Sequence, residues 1–415
     1  MIIAHDLGTT GDKASLHTAE GVLIAATTVG YPTHYGNGGV VEQDPADWWD
    51  AVVAATRRLL ESAGVAGSEV EAVSVSGHMM GGIFLDAEYR PVRPAIIWAD
   101  TRSAQQTARL VERVGEAEGY RITGHPLNAT YTLPKLMWVR ENEPEVWARV
   151  RHLAFAKDYV NQRLTGRLVT DASDASGANA YDQALGDWSP VLLEAAGVAR
   201  ELMPPIRPST EVLGPLLPEA AEALGLRPGI AVVVGGGDGP MAALGTGIVA
   251  PEDGAYVSLG TSSWVSLASD APLLDPRRRT MTFNHVVPGR FVPTATMQTG
   301  AGALDWLADV LAPGAGGERF ARLVGEAETV DASGEGLFFL PHLLGERAPR
   351  WNPQVRASFV GLSRAHGREH LTRAVLEGVA FNLRICIEAF RASGARIDSV
   401  DAVGGGAKSD VWLQV

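Results

Sequence analysis

One cysteine in 415 residues excludes an intramolecular disulfide and any cysteine-rich metal site. That residue, Cys386, sits inside a helical apolar pattern, and a reducing compartment fits it best. Lysine is also scarce: of 35 basic residues only Lys13, Lys135, Lys157 and Lys408 are lysines. Net charge is −13 and no basic run is interleaved with aromatics, which argues against nucleic acid or an anionic membrane as a partner. Any anion must be held by local geometry instead. No apolar run approaches the ~18 residues a spanning helix requires. The chain opens directly on a strand-like pattern, Met1 to Asp6, with no charged leader, so a cytoplasmic protein is expected.

Hydrophobic residues make up 46% of the chain, enough for sizeable cores, and its length predicts two domains. Two short segments far apart read alike: Ile2 to Gly11, containing Asp6-Leu7-Gly8-Thr9-Thr10, and Tyr256 to Trp264, containing Leu259-Gly260-Thr261-Ser262. Each is an apolar strand running into a Gly-Thr turn, whose backbone N–H groups and hydroxyls can hold an anionic oxygen. One such turn in each half suggests a duplicated fold gripping a polyphosphate from both sides.

Strands are predicted at Ile2 to Ala4, Ala14 to Leu16, Gly21 to Thr28 and Ala72 to Ser76, with a helix from Pro45 to about Leu60 capped by Asp44. Three strands, a helix and a strand open a ribonuclease-H-like α/β domain. From about Thr101 to Arg200 the pattern is mostly helical and reads as an insertion capping the first sheet. Ile230 to Val234 then predicts a buried strand ending in Gly235-Gly236-Gly237-Asp238-Gly239, followed by a helix over Pro240 to Leu244 and a boundary near Gly245. The opening pattern recurs with strands near Gly254 to Val257, Ser263 to Ala268 and Phe291 to Thr294 and a helix from about Gly300 to Leu311. A short loop at Pro313 to Gly317, a strand at Leu337 to Leu340, a helix from about Glu369 to Ala392 and a strand at Val400 to Val403 follow. The fold class expected is α/β: two ribonuclease-H-like (actin-like ATPase) domains, 1–245 and 246–415, with a helical insertion in the first and a cleft between them.

These motifs, in this order, resemble the FGGY carbohydrate kinases over essentially the whole chain, and within them the xylulokinases. The resemblance implies that Asp6, Gly8, Thr9, Thr10 and Lys13 form a first phosphate motif, with Asp6 holding a Mg²⁺-bound water, and that Gly260, Thr261 and Ser262 form the second. Asp238 matches the catalytic base; read from its sequence alone it is either that or a helix cap. Trp98, Asp100 and Arg102 match a sugar-binding W-x-D-x-R segment, with a surface ion pair as the other reading of the last two. Gly404, Gly405, Gly406, Ala407, Lys408 and Ser409 look like an adenosine motif, a glycine turn ahead of a helix N-terminus. Gly302, in the segment to Trp306, falls where the family lines its ATP pocket. Gly345 to Pro349 and the helix carrying Arg373, Glu377, Gly378 and Phe381 also resemble family signatures near the nucleotide.

The chain departs from the xylulokinases at His78-Met79-Met80-Gly81, where Gln-Met-His-Gly is usual, and at Gly239, where asparagine commonly follows the acid. These are sugar-contacting positions in the family, although His78 and Met80 also suit core packing. The resemblance implies an ATP- and Mg²⁺-dependent kinase acting on a hydroxyl of a pentulose such as D-xylulose or a related sugar or polyol. It allows a homodimer. The chain stops a few residues into the helix after Gly406, which motivates a second reading, a non-catalytic sugar or nucleotide sensor on the same fold. An actin- or chaperone-like ATPase without a small-molecule acceptor is disfavoured by Trp98-Ala99-Asp100 together with Asp238.

Overall fold

The computed structural model describes residues 1–314 and 318–415; of the loop expected at Pro313 to Gly317, residues 315–317 lie outside the described residues. The chain divides into two compact units, Met1–Gly245 with Phe283–Arg290, and Thr246–Thr282 with Phe291–Val415. Phe283–Arg290 groups with the first unit through side chains that the local pattern does not advertise. Phe283 and His125 pack T-shaped with ring centroids 4.5 Å apart, and the Asn284 N–H donates to Ser176 Oγ at 3.1 Å.

In the first unit six strands lie in the order Val212–Pro215, Ala231–Gly237, Ala72–Gly77, Ile2–Leu7, Gly11–His17, Leu23–Gly30. Alternation along Ile2–Leu7 sends Ile3 and Leu7 into the core and leaves Asp6 on the opposite face. The helix Pro45–Ala63 packs on the core side. Asp44 caps it by accepting from the Ala46 N–H at 2.9 Å, Pro45 fixes its first turn, and Gly64 ends it in the left-handed conformation. Trp48, Val52, Ala55 and Leu59 form its buried stripe.

The mostly helical stretch after Thr101 has its own core, with Leu133, Leu136, Phe155, Trp188 and Leu192 among its buried members. In the second unit the strands Phe291–Met297, Ser263–Leu267, Ala255–Leu259 and Val400–Val403 are consecutive neighbours. Ala255–Leu259 is antiparallel to Ser263–Leu267 and parallel to Val400–Val403, as Ile2–Leu7 is antiparallel to Gly11–His17 and parallel to Ala72–Gly77. The similarity of the two Gly-Thr segments therefore extends to sheet connectivity. The helix Arg368–Ala392 supplies Ala374, Val375, Val379, Leu383, Cys386 and Phe390 to the second core.

Two expectations differ in detail. The strand expected over Leu337 to Leu340 forms at Phe338–Leu340 and pairs with Ser358–Val360 in a two-stranded ribbon. The strand expected to end at Val234 runs on to Gly237, and the helix after it begins at Asp238. Among the described residues no helix is long and apolar enough to cross a membrane.

Candidate active site

Strand register builds the acidic centre of the first unit. Asp6 lies opposite Lys13 on one neighbouring strand and Ser76 on the other. Lys13 Nζ stands 3.2 Å from Asp6 Oδ2, and Ser76 Oγ donates to Asp6 Oδ1 at 3.0 Å. The turn that follows is braced from several directions. Tyr31 Oη donates to the Gly8 carbonyl, Gln43 Nε2 to the Thr9 carbonyl at 2.7 Å, and Trp98 Nε1 to Thr9 Oγ1 at 2.9 Å. Thr10 is exposed.

Asp238 stands half-buried at the end of the strand Ala231–Gly237. Its Oδ1 accepts from the Gly239 N–H at 2.8 Å. Burial first, then the negative charge of Asp6, push its carboxyl up to about 7, against the partial relief given by that N–H and by Lys13. A carboxyl near neutrality accepts a proton from an alcohol far more readily than one in the ordinary carboxylate range.

The strand reaches this point through a bulge. Val233 pairs with Ser74 and Gly236 with Ser76, so Val234 and Gly235 together oppose Val75. Gly235 has φ +72 and lies so close to the Val75 carbonyl that a Cβ would overlap it, so only glycine fits.

Asp100 is fully buried, and its oxygens accept from the Val41 N–H at 2.7 Å, the Arg102 N–H at 3.0 Å and the Arg102 guanidinium at 2.6–3.1 Å. Arg102 also pairs with Glu42 at 2.8 Å and lies over the Trp138 ring. The pair is an interior clamp rather than a surface ion pair. His78 is buried with both ring nitrogens lacking a hydrogen-bond partner, and its ring packs T-shaped with Trp48, centroids 5.2 Å apart. Burial, with the Lys135 charge adding to it, pulls the imidazole down to about 4, so it is neutral at pH 7. Met79 is buried, with Sδ 3.8 Å from where a Cβ at Gly239 would lie; Met80 takes a left-handed φ of 64.

Lys135, unassigned by the sequence reading, is also buried there. Its ammonium donates to the Met80 carbonyl at 2.8 Å and to the Thr130 carbonyl, and burial lowers it to about 7.

In the second unit the turn Gly260–Ser262 is cradled by the segment ahead of the helix Gly302–Leu311. The Gly300 N–H donates to the Thr261 carbonyl at 2.8 Å and the Ala301 N–H to the Gly260 carbonyl at 2.7 Å. A cavity of about 660 Å³ opens beside it, lined by Leu259, Thr261, Gly302, Phe320, Gly405 and Trp412. Gly260, Gly406, Lys408 and Ser409 also belong to its lining, whereas Ser262 and Ala407 do not. The Gly406–Lys408 turn is 3₁₀, and Ser409 Oγ caps the next turn by accepting from the Trp412 N–H at 3.2 Å.

These residues suit a nucleotide and a hydrated cation. The cavity has nucleotide dimensions and joins apolar walls to a backbone turn. A Cβ at Gly302 would meet the Thr261 carbonyl oxygen at 2.9 Å, so glycine keeps the turn open there. Among the described residues no group of three or more His, Cys, Asp or Glu could cage a metal ion. Asp6, with Asp238 close enough to feel its charge, instead suits Mg²⁺, which keeps several waters and takes one or two carboxylates beside phosphate oxygens.

Comparison with known proteins gives this arrangement relatives. The N-terminal domain of the FGGY family of carbohydrate kinases matches residues 1–245, and the C-terminal domain matches residues 255–415. The chain is 38% identical to the xylulose kinase of Escherichia coli strain K12 over 415 residues, 100% of this chain and 84% of that protein. It matches the crystal structure of xylulose kinase from Rhodospirillum rubrum with a TM-score of 0.93 at 32% identity, covering 99% of this chain and 83% of that one. A gluconate kinase from Lactobacillus acidophilus matches with the same TM-score of 0.93 at 29% identity, covering 100% and 82%. With both of the family's domains matched in order along the chain, the protein belongs to the FGGY family of carbohydrate kinases.

Proposed function

We propose that this carbohydrate kinase transfers the γ-phosphoryl group of Mg·ATP to a hydroxyl of a pentulose such as D-xylulose, or of a related sugar or polyol. The proposed frame is a pair of ribonuclease-H-like (actin-like ATPase) domains, 1–245 taking the sugar and 246–415 the nucleotide. The repeated strand connectivity supports the frame, and the xylulose kinase relatives support the substrate class.

The observation that carries the reading is Asp238, a carboxyl pushed up to about 7 at the end of a bulged strand beside Asp6. In this mechanism Asp238 orients the acceptor hydroxyl and takes its proton as the oxygen attacks the terminal phosphorus. Asp6 would hold hydrated Mg²⁺, which when bound neutralises charge on the transferring phosphoryl. The N–H groups and hydroxyls of Gly8 to Thr10 and of Gly260 to Ser262 bind phosphoryl oxygens, and the 660 Å³ cavity takes the rest of the nucleotide. The neutral His78 ring, with both nitrogens unpartnered, and Trp98 contact the sugar. Asp100, with its oxygens held by Arg102 and Val41, fixes that wall.

No observation favours a non-catalytic sensor. A coupled ADP-release screen over ketopentoses, polyols and sugar acids tests the proposal. Sugar-dependent ADP release, fastest with a ketopentose, is expected. Equal ADP release with and without every sugar would reject it.

A further inference from the structure

The helical insertion holds a buried ionic cluster that the mechanism above does not use. Lys157, Asp158, Asp171, Ser173 and Asp174 all have no exposed surface. Lys157 Nζ bonds Asp158 Oδ1, stands 3.1 Å from Asp171 Oδ1 and 3.5 Å from Asp174 Oδ2, and reaches Thr170 Oγ1 at 3.4 Å. Asp171 Oδ2 accepts from the Ser173 N–H at 2.9 Å, from Ser209 Oγ at 2.7 Å and from Ser173 Oγ. Three carboxyls around one ammonium are costly to bury, so the cluster calls for a reason beyond packing.

One hydrogen bond leaves the cluster toward the active site. Ser173 Oγ, while donating to Asp171, accepts from the Gly237 N–H at 2.9 Å, and Gly237 immediately precedes Asp238. The bulge has broken the regular ladder here, and its polar groups are taken up one by one. Asn161 Nδ2 donates to the Val234 carbonyl at 2.8 Å, the Val234 N–H donates to the Glu211 carbonyl at 3.0 Å, and the Gly235 N–H donates to the Ser209 carbonyl at 3.0 Å. Of these bonds, the one to Ser173 holds the backbone group nearest the reacting carboxylate, the N–H of Gly237.

We infer that Ser173 is a positioning residue: held by Asp171 and Lys157, its hydroxyl fixes the Gly237 amide and so the direction in which Asp238 presents its carboxylate. This rests on the reading of Asp238 given above. A hydroxyl that both donates to a fixed anion and accepts from a main-chain N–H has its rotor set, which transmits the geometry of the cluster to the strand end. Because a misplacement of about 1 Å at a reacting group can cost a hundredfold in rate, one such bond matters more for turnover than for stability.

The test is a double-mutant cycle on the full chain, with kcat, both KM values and nucleotide affinity measured for Ser173→Ala, Asp238→Asn and the pair. Ser173→Ala is expected to lower kcat about tenfold to a hundredfold while leaving both KM values and nucleotide affinity within about threefold. In the Asp238→Asn background the same change should lower kcat no further, because Ser173 acts through that carboxylate. Ser173→Thr, which keeps the hydroxyl, should remain within about threefold of wild type. Asp171→Asn replaces the cycle member if Ser173→Ala does not fold, with the same loss of effect expected when Asp238 is already changed. Wild-type kcat in Ser173→Ala, or an undiminished further loss in the double variant, would overturn the inference while leaving the reading of Asp238 intact. Wild-type turnover by Asp238→Asn would overturn both.

Discussion

Replacing Asp238 by asparagine should stabilise the protein, and by an amount that depends on pH. The folded-state carboxyl sits at about 7 against an ordinary value of 3.8, because burial and Asp6 both disfavour its charge. A gap of about three pH units corresponds to a ceiling of about 4 kcal/mol at 1.4 kcal/mol per unit. Water reaching a half-buried side chain reduces this to about 1–2 kcal/mol.

The sign follows from which state holds the proton. Between about 4 and 7 the folded protein keeps the proton that the unfolded chain has released, so this group's contribution falls as pH rises and is fully unfavourable above 7. Urea unfolding of the nucleotide-free protein at pH 5, 6, 7 and 8 measures it. The asparagine variant should gain least at pH 5 and about 1–2 kcal/mol at pH 8. A gain that is constant with pH, or a loss at pH 8, would refute the argument.

Gly302→Ala should raise the KM for ATP by about tenfold or more, since its Cβ falls 2.9 Å from the Thr261 carbonyl and overpacking costs about 1–3 kcal/mol. The KM for sugar should be unchanged, and steady-state kinetics with each substrate varied decides it. Arg102→Met leaves the Asp100 carboxylate buried without its cation and should cost about 3–5 kcal/mol in denaturant unfolding. Adding Asp100→Asn to that variant should recover a large part of the loss. Tyr31→Phe removes the donor to the Gly8 carbonyl and should cost about 1 kcal/mol in unfolding while raising the KM for ATP severalfold.

The repeated strand connectivity was legible because its signals are local. Alternating apolar residues, the Asp44-Pro45 helix start and the two Gly-Thr turns each lie within a short window, and all appear where expected. Boundaries moved where glycine weakened the pattern: Gly235 to Gly237 read as the end of a strand, whereas the strand continues through them by a bulge. That bulge is satisfied by Asn161, Ser173, Ser209 and Glu211, which no window of the sequence brings together. The helix Glu318–Ala327 and the strand Met281–Asn284 went unread.

Charge chemistry was the least legible. An aspartate at its ordinary value of 3.8 is a poor base, and only burial beside Asp6 changes that for Asp238. Lysine is ordinarily a surface residue, so nothing in the sequence marked Lys135 and Lys157 as interior groups. Ser76 could have been found: once Asp6 and Ser76 are placed on paired parallel strands, alternation puts both on one face.

The central claim, that Asp238 activates a sugar hydroxyl toward a bound nucleotide, is tested most directly by measuring two quantities on Asp238→Asn. One is sugar-dependent ADP release with the best acceptor, and the other is nucleotide affinity by calorimetry. Turnover lowered by about a thousandfold or more, with nucleotide affinity within about threefold of wild type, is the predicted result. Near-normal turnover, or nucleotide binding lost together with turnover, would contradict it.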